Sequence, residues 1–209
     1  MIRFKVFIDF EKEEKWLNEM GLQGYELVSC KNAFYRFRAI QPGNDIIKID
    51  YRTFRKREDF VDYCTIFQDS GWKHVAGSFY SGTQYFKKTG DRATDDIFSD
   101  TISKAGRYNR LSNMWLYLAI AYLPILTMLI LQNNIDIRAI LNPKLLYYTP
   151  GLWEKTGIEF WNYFLYETPF ALLRGFLWLL LPILIVLYLF FSVKIYRWGQ
   201  IIKKKSDFD

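Results

Sequence analysis

Residues 114–132 read MWLYLAIAYLPILTMLILQ, and residues 175–193 read GFLWLLLPILIVLYLFFSV. Neither stretch carries a formal charge. Each is about 19 residues long, close to the roughly 20 that cross a hydrocarbon core of about 30 Å as a helix. One such run would also suit the buried core helix of a soluble protein. Two of this length and purity predict a pair of transmembrane helices, over 113–132 and 170–199, in a chain of 209 residues.

The flanking charges predict an orientation. Lys104, Arg107 and Arg110 precede the first run, and Lys194, Arg197, Lys203, Lys204 and Lys205 follow the second. Between the runs, Arg138, Lys144, Lys155 and Arg174 are balanced by Asp136, Glu154, Glu159 and Glu167. Lys and Arg accumulate on the cytoplasmic side of spanning helices, so both termini are expected in the cytoplasm of a bacterium and the 133–169 segment outside its plasma membrane. Arg174 reads as a border residue whose long stem reaches the interface. Pro124 and Pro182 sit mid-run in matching Leu-Pro-Ile-Leu contexts. Proline removes a backbone donor and clashes with the preceding turn, so both helices are expected to kink. Two readings are open: a paired hinge, or prolines merely tolerated in spanning helices.

The 133–169 segment is rich in aromatic residues, among them Tyr147, Tyr148, Trp153, Phe160, Trp161, Tyr163, Phe164 and Tyr166. Such rings settle at the headgroup level. The segment reads as a loop lying flat on the outer leaflet, or as a receptor surface for an amphipathic ligand in which Trp153, Phe160, Trp161, Tyr163 and Phe164 are the candidate contacts. Residues 157–167 are expected to form a short helix ending before Pro169.

Residues 1–90 mix charge and hydrophobe as a soluble domain does, and they repeat. Gln23-Gly24-Tyr25-Glu26-Leu27-Val28 returns as Ser70-Gly71-Trp72-Lys73-His74-Val75, and Phe34-Tyr35-Arg36-Phe37 returns as Gln84-Tyr85-Phe86-Lys87. An alternating strand stands before each helix, over 3–10 and 45–53; in the second, Ile47, Ile49 and Tyr51 share one face, and Lys48, Asp50 and Arg52 the wet one. Helical stripes follow, Trp16, Leu17 and Met20, then Phe60, Tyr63, Cys64 and Phe67. Gly24 and Gly71 stand where a left-handed residue closes a helix. The unit is strand, helix, strand, strand, used twice. The expected fold is an α+β domain, an antiparallel sheet with two helices on its apolar face, followed by two transmembrane helices. Tyr25 and Trp72 are expected core anchors.

Residues 91–112 form the connector. Asp91, Asp95, Asp96 and Asp100 give way to the basic residues above, as in a juxtamembrane amphipathic helix or a flexible tether. Residues 200–209 read as a basic cytoplasmic tail. The net charge of +6 gathers at the borders of the apolar runs, and no basic stripe marks the N-terminal half, so direct nucleic-acid binding is not expected. Cys30 and Cys64 lack metal or CxxC spacing and are expected as free thiols in a reducing compartment. The N-terminal strand-like alternation is not a signal peptide. His74 is the sole histidine, and Glu11, Glu13 and Glu14 fall in a first helical turn, where they complement the helix dipole. No catalytic motif, cofactor fingerprint or metal set is present, and an enzyme is not expected.

Phe4-Lys5-Val6-Phe7, Glu11-Lys12-Glu13-Glu14-Lys15-Trp16-Leu17-Asn18-Glu19-Met20, Gly24-Tyr25-Glu26-Leu27, Tyr51-Arg52, Phe67-Gln68-Asp69-Ser70-Gly71-Trp72 and Tyr85-Phe86-Lys87 together resemble the bacterial family of domain of unknown function 2812. Tyr25 departs from the tryptophan common there, keeping an aromatic ring. The resemblance covers residues 1–90. It implies an N-terminal domain followed by hydrophobic helices, and genes that accompany PadR-type transcriptional repressors, and it assigns no catalytic residues. The expected function is thus a membrane-anchored regulatory or sensory protein whose cytoplasmic domain binds a protein, a PadR-type repressor foremost, in an envelope or antimicrobial response. The alternative is an accessory or immunity factor that docks a transporter. Further copies of the chain would supply packing partners for the spans.

Overall fold

The computed structural model describes residues 1–90 and 93–205, the last of these by its backbone alone. Asp91 and the expected tail residues 206–209 lie outside the described residues, as does the side chain of Lys205. Two compact units emerge, one of residues 1–112 with 194–209 and one of residues 113–193.

In the first unit the predicted repeat is realised. Strand β1 (Ile2–Phe4), helix α1 (Phe10–Leu22) and strands β2 (Tyr25–Lys31) and β3 (Phe34–Ala39) form one copy; β4 (Ile47–Tyr51), α2 (Arg57–Asp69), β5 (Trp72–Ala76) and β6 (Thr83–Lys88) form the other. Each copy makes its own three-stranded antiparallel sheet, ordered β1-β3-β2 and β4-β6-β5, where one sheet was expected. The copies agree in detail. Gly24 and Gly71 both adopt φ +82° directly after their helices. A Cβ at Gly24 would come within 2.9 Å of the Ile40 carbonyl oxygen, so the turn needs glycine twice over. Each sheet also slips register after the first residues of its middle hairpin, between Leu27 and Ser29 and between His74 and Ala76.

The expected first strand, 3–10, is shortened because Asp9 caps α1: its carboxylate accepts from the Glu11 amide at 3.0 Å. Trp72, Phe86 and Tyr63 centre one core cluster, with Trp72 only 1% exposed; Tyr25, its repeat counterpart, is half-buried. Cys30 and Cys64 are free, half-buried thiols. On the expected wet face of the second strand Arg52 is exposed and Lys48 half-buried, but Asp50 is buried, where the Tyr63 hydroxyl from α2 donates to it at 2.8 Å.

The connector divides at Asp100, which accepts from the Ser103 amide at 2.7 Å where helix α3 (Thr101–Leu131) begins. Its first turns pack against the end of helix α4 (Gly157–Lys205): Gly199 lies so close to Asn109 and Tyr108 that a Cβ would stand 3.2 Å from each.

The second unit holds the remainder of both helices and three short 3-10 helices, Ile137–Ile140, Pro143–Leu146 and Leu152–Glu154. Helix α4 does not stop before Pro169 but runs through both Pro169 and Pro182, and α3 runs through Pro124. Beside Pro169 the Thr168 hydroxyl donates to the Phe164 carbonyl at 2.6 Å, one residue before the Leu165 carbonyl that the proline leaves without its helical donor. At roughly 1.5 Å per residue, α3 extends about 46 Å and α4 about 73 Å. Both are long and apolar enough to cross a membrane.

Candidate functional site

The first residues of α1 do more than complement a helix dipole. Glu11 is exposed as expected, but Glu13 and Glu14 are 5% and 4% exposed, at the junction of the two repeats. Glu13 Oε1 accepts the hydroxyls of Tyr35 and Tyr85, each at 2.7 Å. These tyrosines hold equivalent positions in β3 and β6, so one carboxylate pins both repeats. The Tyr85 hydroxyl also lies 3.3 Å from the Cys30 sulfur. Burial holds the Glu13 carboxyl above the usual carboxylate range; the two tyrosine hydrogen bonds pull the other way, and neighbouring Glu14 adds to the rise. The Cys30 thiol is pushed up by the same burial.

Glu14 and its neighbours close the open edge of β4. That strand pairs with β6 on one side only, leaving a row of amides and carbonyls that edge strands must cover. Glu14 Oε1 accepts the Ile49 amide at 3.1 Å, and Asn18 of α1 accepts the Ile47 amide at 2.7 Å. From α3, Arg107 donates to the Ile49 carbonyl at 2.6 Å and Arg110 donates to that of Tyr51. Arg107 also donates to Glu14 Oε1 at 2.5 Å, and Arg110 to Asp50 at 2.6 Å. Arg107 is fully buried, with its guanidinium about 5 Å from the ring centres of Phe10, Phe98 and Tyr108. Side chains thus replace the missing strand, and two of them come from the start of an apolar helix.

Above Glu13 lies a cleft of about 750 Å³, bounded by the 29–33 hairpin on one side and the 77–83 loop on the other. Buried Gln84 shapes the second wall: its amide nitrogen donates to the Ser78 and Ser81 carbonyls at 2.9 and 2.7 Å, while its oxygen faces His74 Nε2 at 2.9 Å. Burial keeps His74 below its ordinary pKa.

A family model described as Protein of unknown function (DUF2812) matches residues 9–120. The chain belongs to this family. The match starts after β1, runs past the residue-90 limit read from the sequence and takes in the first part of α3, so Arg107 and Arg110 lie within the DUF2812 unit together with the second repeat and most of the first. No curated protein and no solved structure matches the chain.

The other residues singled out in this DUF2812 member fall as follows. Lys104 pairs with Asp96 at 2.9 Å, so all three basic residues preceding the first apolar run bond within their own unit. Lys194, Arg197, Lys203 and Lys204 are exposed along α4, which continues to Lys205 where a tail was expected. In the second unit, Trp153, Phe160, Trp161 and Phe164 gather with Tyr147; Phe160 and Phe164 stack at 5.4 Å and Tyr147 stacks on Phe164 at 5.3 Å. Tyr163 stands apart, with the Lys155 ammonium 4.7 Å from its ring centre. Arg174 donates to the Leu146 carbonyl and stacks 3.6 Å from the Tyr148 ring centre. Glu167, read only as a balancing charge, accepts the amides of Tyr148 and Thr149. Pro182 lines an apolar cavity of about 410 Å³ with Trp178 and Leu126, whereas Pro124 lines a separate open groove.

Sequence reasoning missed Glu13, Glu14, Tyr35 and Tyr85 as one cluster. A signal existed in Tyr35 and Tyr85, which occupy the same place in the two repeats.

Proposed function

We propose that this protein is a membrane-anchored regulator of the bacterial plasma membrane, with both termini cytoplasmic and no catalytic centre, whose N-terminal domain is read by a soluble protein partner. A PadR-type repressor is the first candidate, by the gene association the family resemblance implies. The observation that carries the reading is the seating of Arg107 and Arg110 on β4 and α1: the start of an apolar helix is built into the repeat domain, so a change in one bears on the other. Membrane insertion is supported by exposure. The apolar helix of a soluble core is mostly buried, whereas only 6% and 11% of the apolar windows of α3 and α4 are covered by the protein.

Affinity purification of the full-length protein in mild detergent, with mass spectrometry, tests this. Recovery of a DNA-binding repressor, lost in Arg107→Glu, supports the regulatory reading. Recovery of the chain alone or with an exporter overturns it. The apolar cavity beside Pro182 favours a second reading, an accessory or immunity factor acting through its helices. Antimicrobial resistance that survives deletion of residues 1–90 would favour that reading.

A further inference from the structure

The cleft over Glu13 holds a carboxyl group without a cationic partner. Two cations reach the Glu13–Glu14 pair, Arg107 at 2.5 Å and Lys48 at 3.4 Å, and both bond Glu14. Among the described residues no cation bonds Glu13. Its Oε1 is taken by two tyrosine hydroxyls, and Oε2 receives no hydrogen bond, although the residue is 5% exposed and lines the cleft. Oε2 is not among the buried atoms left without a partner, so it keeps contact with the solvent of the cleft, and a donor that brings positive charge there would offset the desolvation of the carboxylate.

The walls narrow the choice of donor. Phe7, Tyr35, Tyr80 and Tyr85 line the cleft, and aromatic faces attract ammonium groups. The Lys5 ammonium already lies 4.9 Å from the Phe7 ring centre and 4.8 Å from that of Trp16. Glu13 is the acidic residue of the lining and Lys31, exposed on the hairpin, the basic one. The other groups facing Glu13 are Glu14 on the same helix, Arg107 from α3, and Cys30 from β2.

We propose that this cleft binds a small organic primary ammonium ion, its –NH3⁺ donating to Glu13 Oε2 and its apolar body lying against the aromatic walls. The cleft volume suits a ligand larger than ammonia and smaller than a peptide. An ammonium ion favours the ionised carboxylate, so its binding opposes the upward push of burial on the Glu13 carboxyl. The inference goes beyond the regulatory reading and does not depend on it, since its test needs no protein partner.

The experiment is calorimetric titration of phenethylamine into the full-length protein in a non-ionic detergent at neutral pH, with 2-phenylethanol as the neutral counterpart. Saturable binding of the amine is expected, with the alcohol weaker by about tenfold or more. Glu13→Gln, which keeps an acceptor for both tyrosines, should weaken the amine by a similar factor. Ser29→Arg, at an exposed rim position, should weaken it several-fold by repulsion, and it decides the matter should Glu13→Gln fail to fold. Equal binding of amine and alcohol, no saturable binding, or an unchanged amine affinity in Ser29→Arg overturns the proposal.

Discussion

Arg107 and Glu14 form a buried ion pair, 2.5 Å between Nη1 and Oε1, that joins the start of α3 to α1 across 93 residues of chain. Its geometry is shared with the Ile49 amide and carbonyl, so the pair and the edge of β4 are one hydrogen-bonded unit. Arg107 Nε and Nη2 find no partner, which makes the pair a device that specifies where α3 docks more than a source of net stability.

Removing one member should therefore be severe. Arg107→Met is expected to cost about 3–5 kcal/mol, because Glu14 stays buried with only half-exposed Lys48 as counter-charge. Adding Glu14→Gln should restore part of the loss, with a coupling of about 0.5–3 kcal/mol in a double-mutant cycle. Chemical unfolding of the full-length protein in mild detergent measures both.

Glu13 sets a pH dependence of opposite sign to that of Glu26. Glu13 is raised above 4.5 by burial, so the folded state holds more protons than the unfolded one between that value and the raised pKa. Stability from this group falls as pH rises through that window. Glu26, held low by Arg38 and Lys87, contributes stability that is lost as pH falls below its ordinary range. Comparing wild type with Glu13→Gln across pH 4.5 upward should isolate the first slope, which the variant lacks.

The hairpin rim stores local strain. Asn32 and Ala33 form its two-residue turn with φ +49° and +65°, a turn that favours glycine in its second place. Ala33→Gly should stabilise the domain by about 1 kcal/mol, read as a higher midpoint of unfolding.

Close approach governs the helix pair below the repeats. Gly199→Val should destabilise by about 1–3 kcal/mol, since its side chain must displace Asn109 and Tyr108 from 3.2 Å contacts.

In the second unit Glu167 ties the 3-10 segment to α4. Glu167→Ala should leave the amides of Tyr148 and Thr149 without their acceptor, at a cost of about 1.5–3 kcal/mol for each charged hydrogen bond. Faster hydrogen exchange at those two amides would show it.

Periodicity alone made much of this architecture legible. The twofold strand-helix-strand-strand unit, the glycines at 24 and 71, Trp72 in the core and the two long apolar helices all follow from local pattern, because spacing and turn chemistry act within a few residues. The extent of the family unit was less legible, since the start of α3 looks in sequence like any basic border.

What local pattern could not assign is which side of each charged residue would meet water. Glu13, Glu14, Asp50 and Arg107 read as solvated charges, yet all four are buried. Two sheets formed where one was expected, leaving β4 with an open edge, and closing that edge drew in side chains from α1 and α3. Likewise Pro169 reads as a helix end, but α4 continues through it. The sequence by itself determined the elements, their repetition and the apolar helices. Only the tertiary structure decided the fate of the charges, because burial and pairing depend on partners up to 93 residues away that no local pattern brings together.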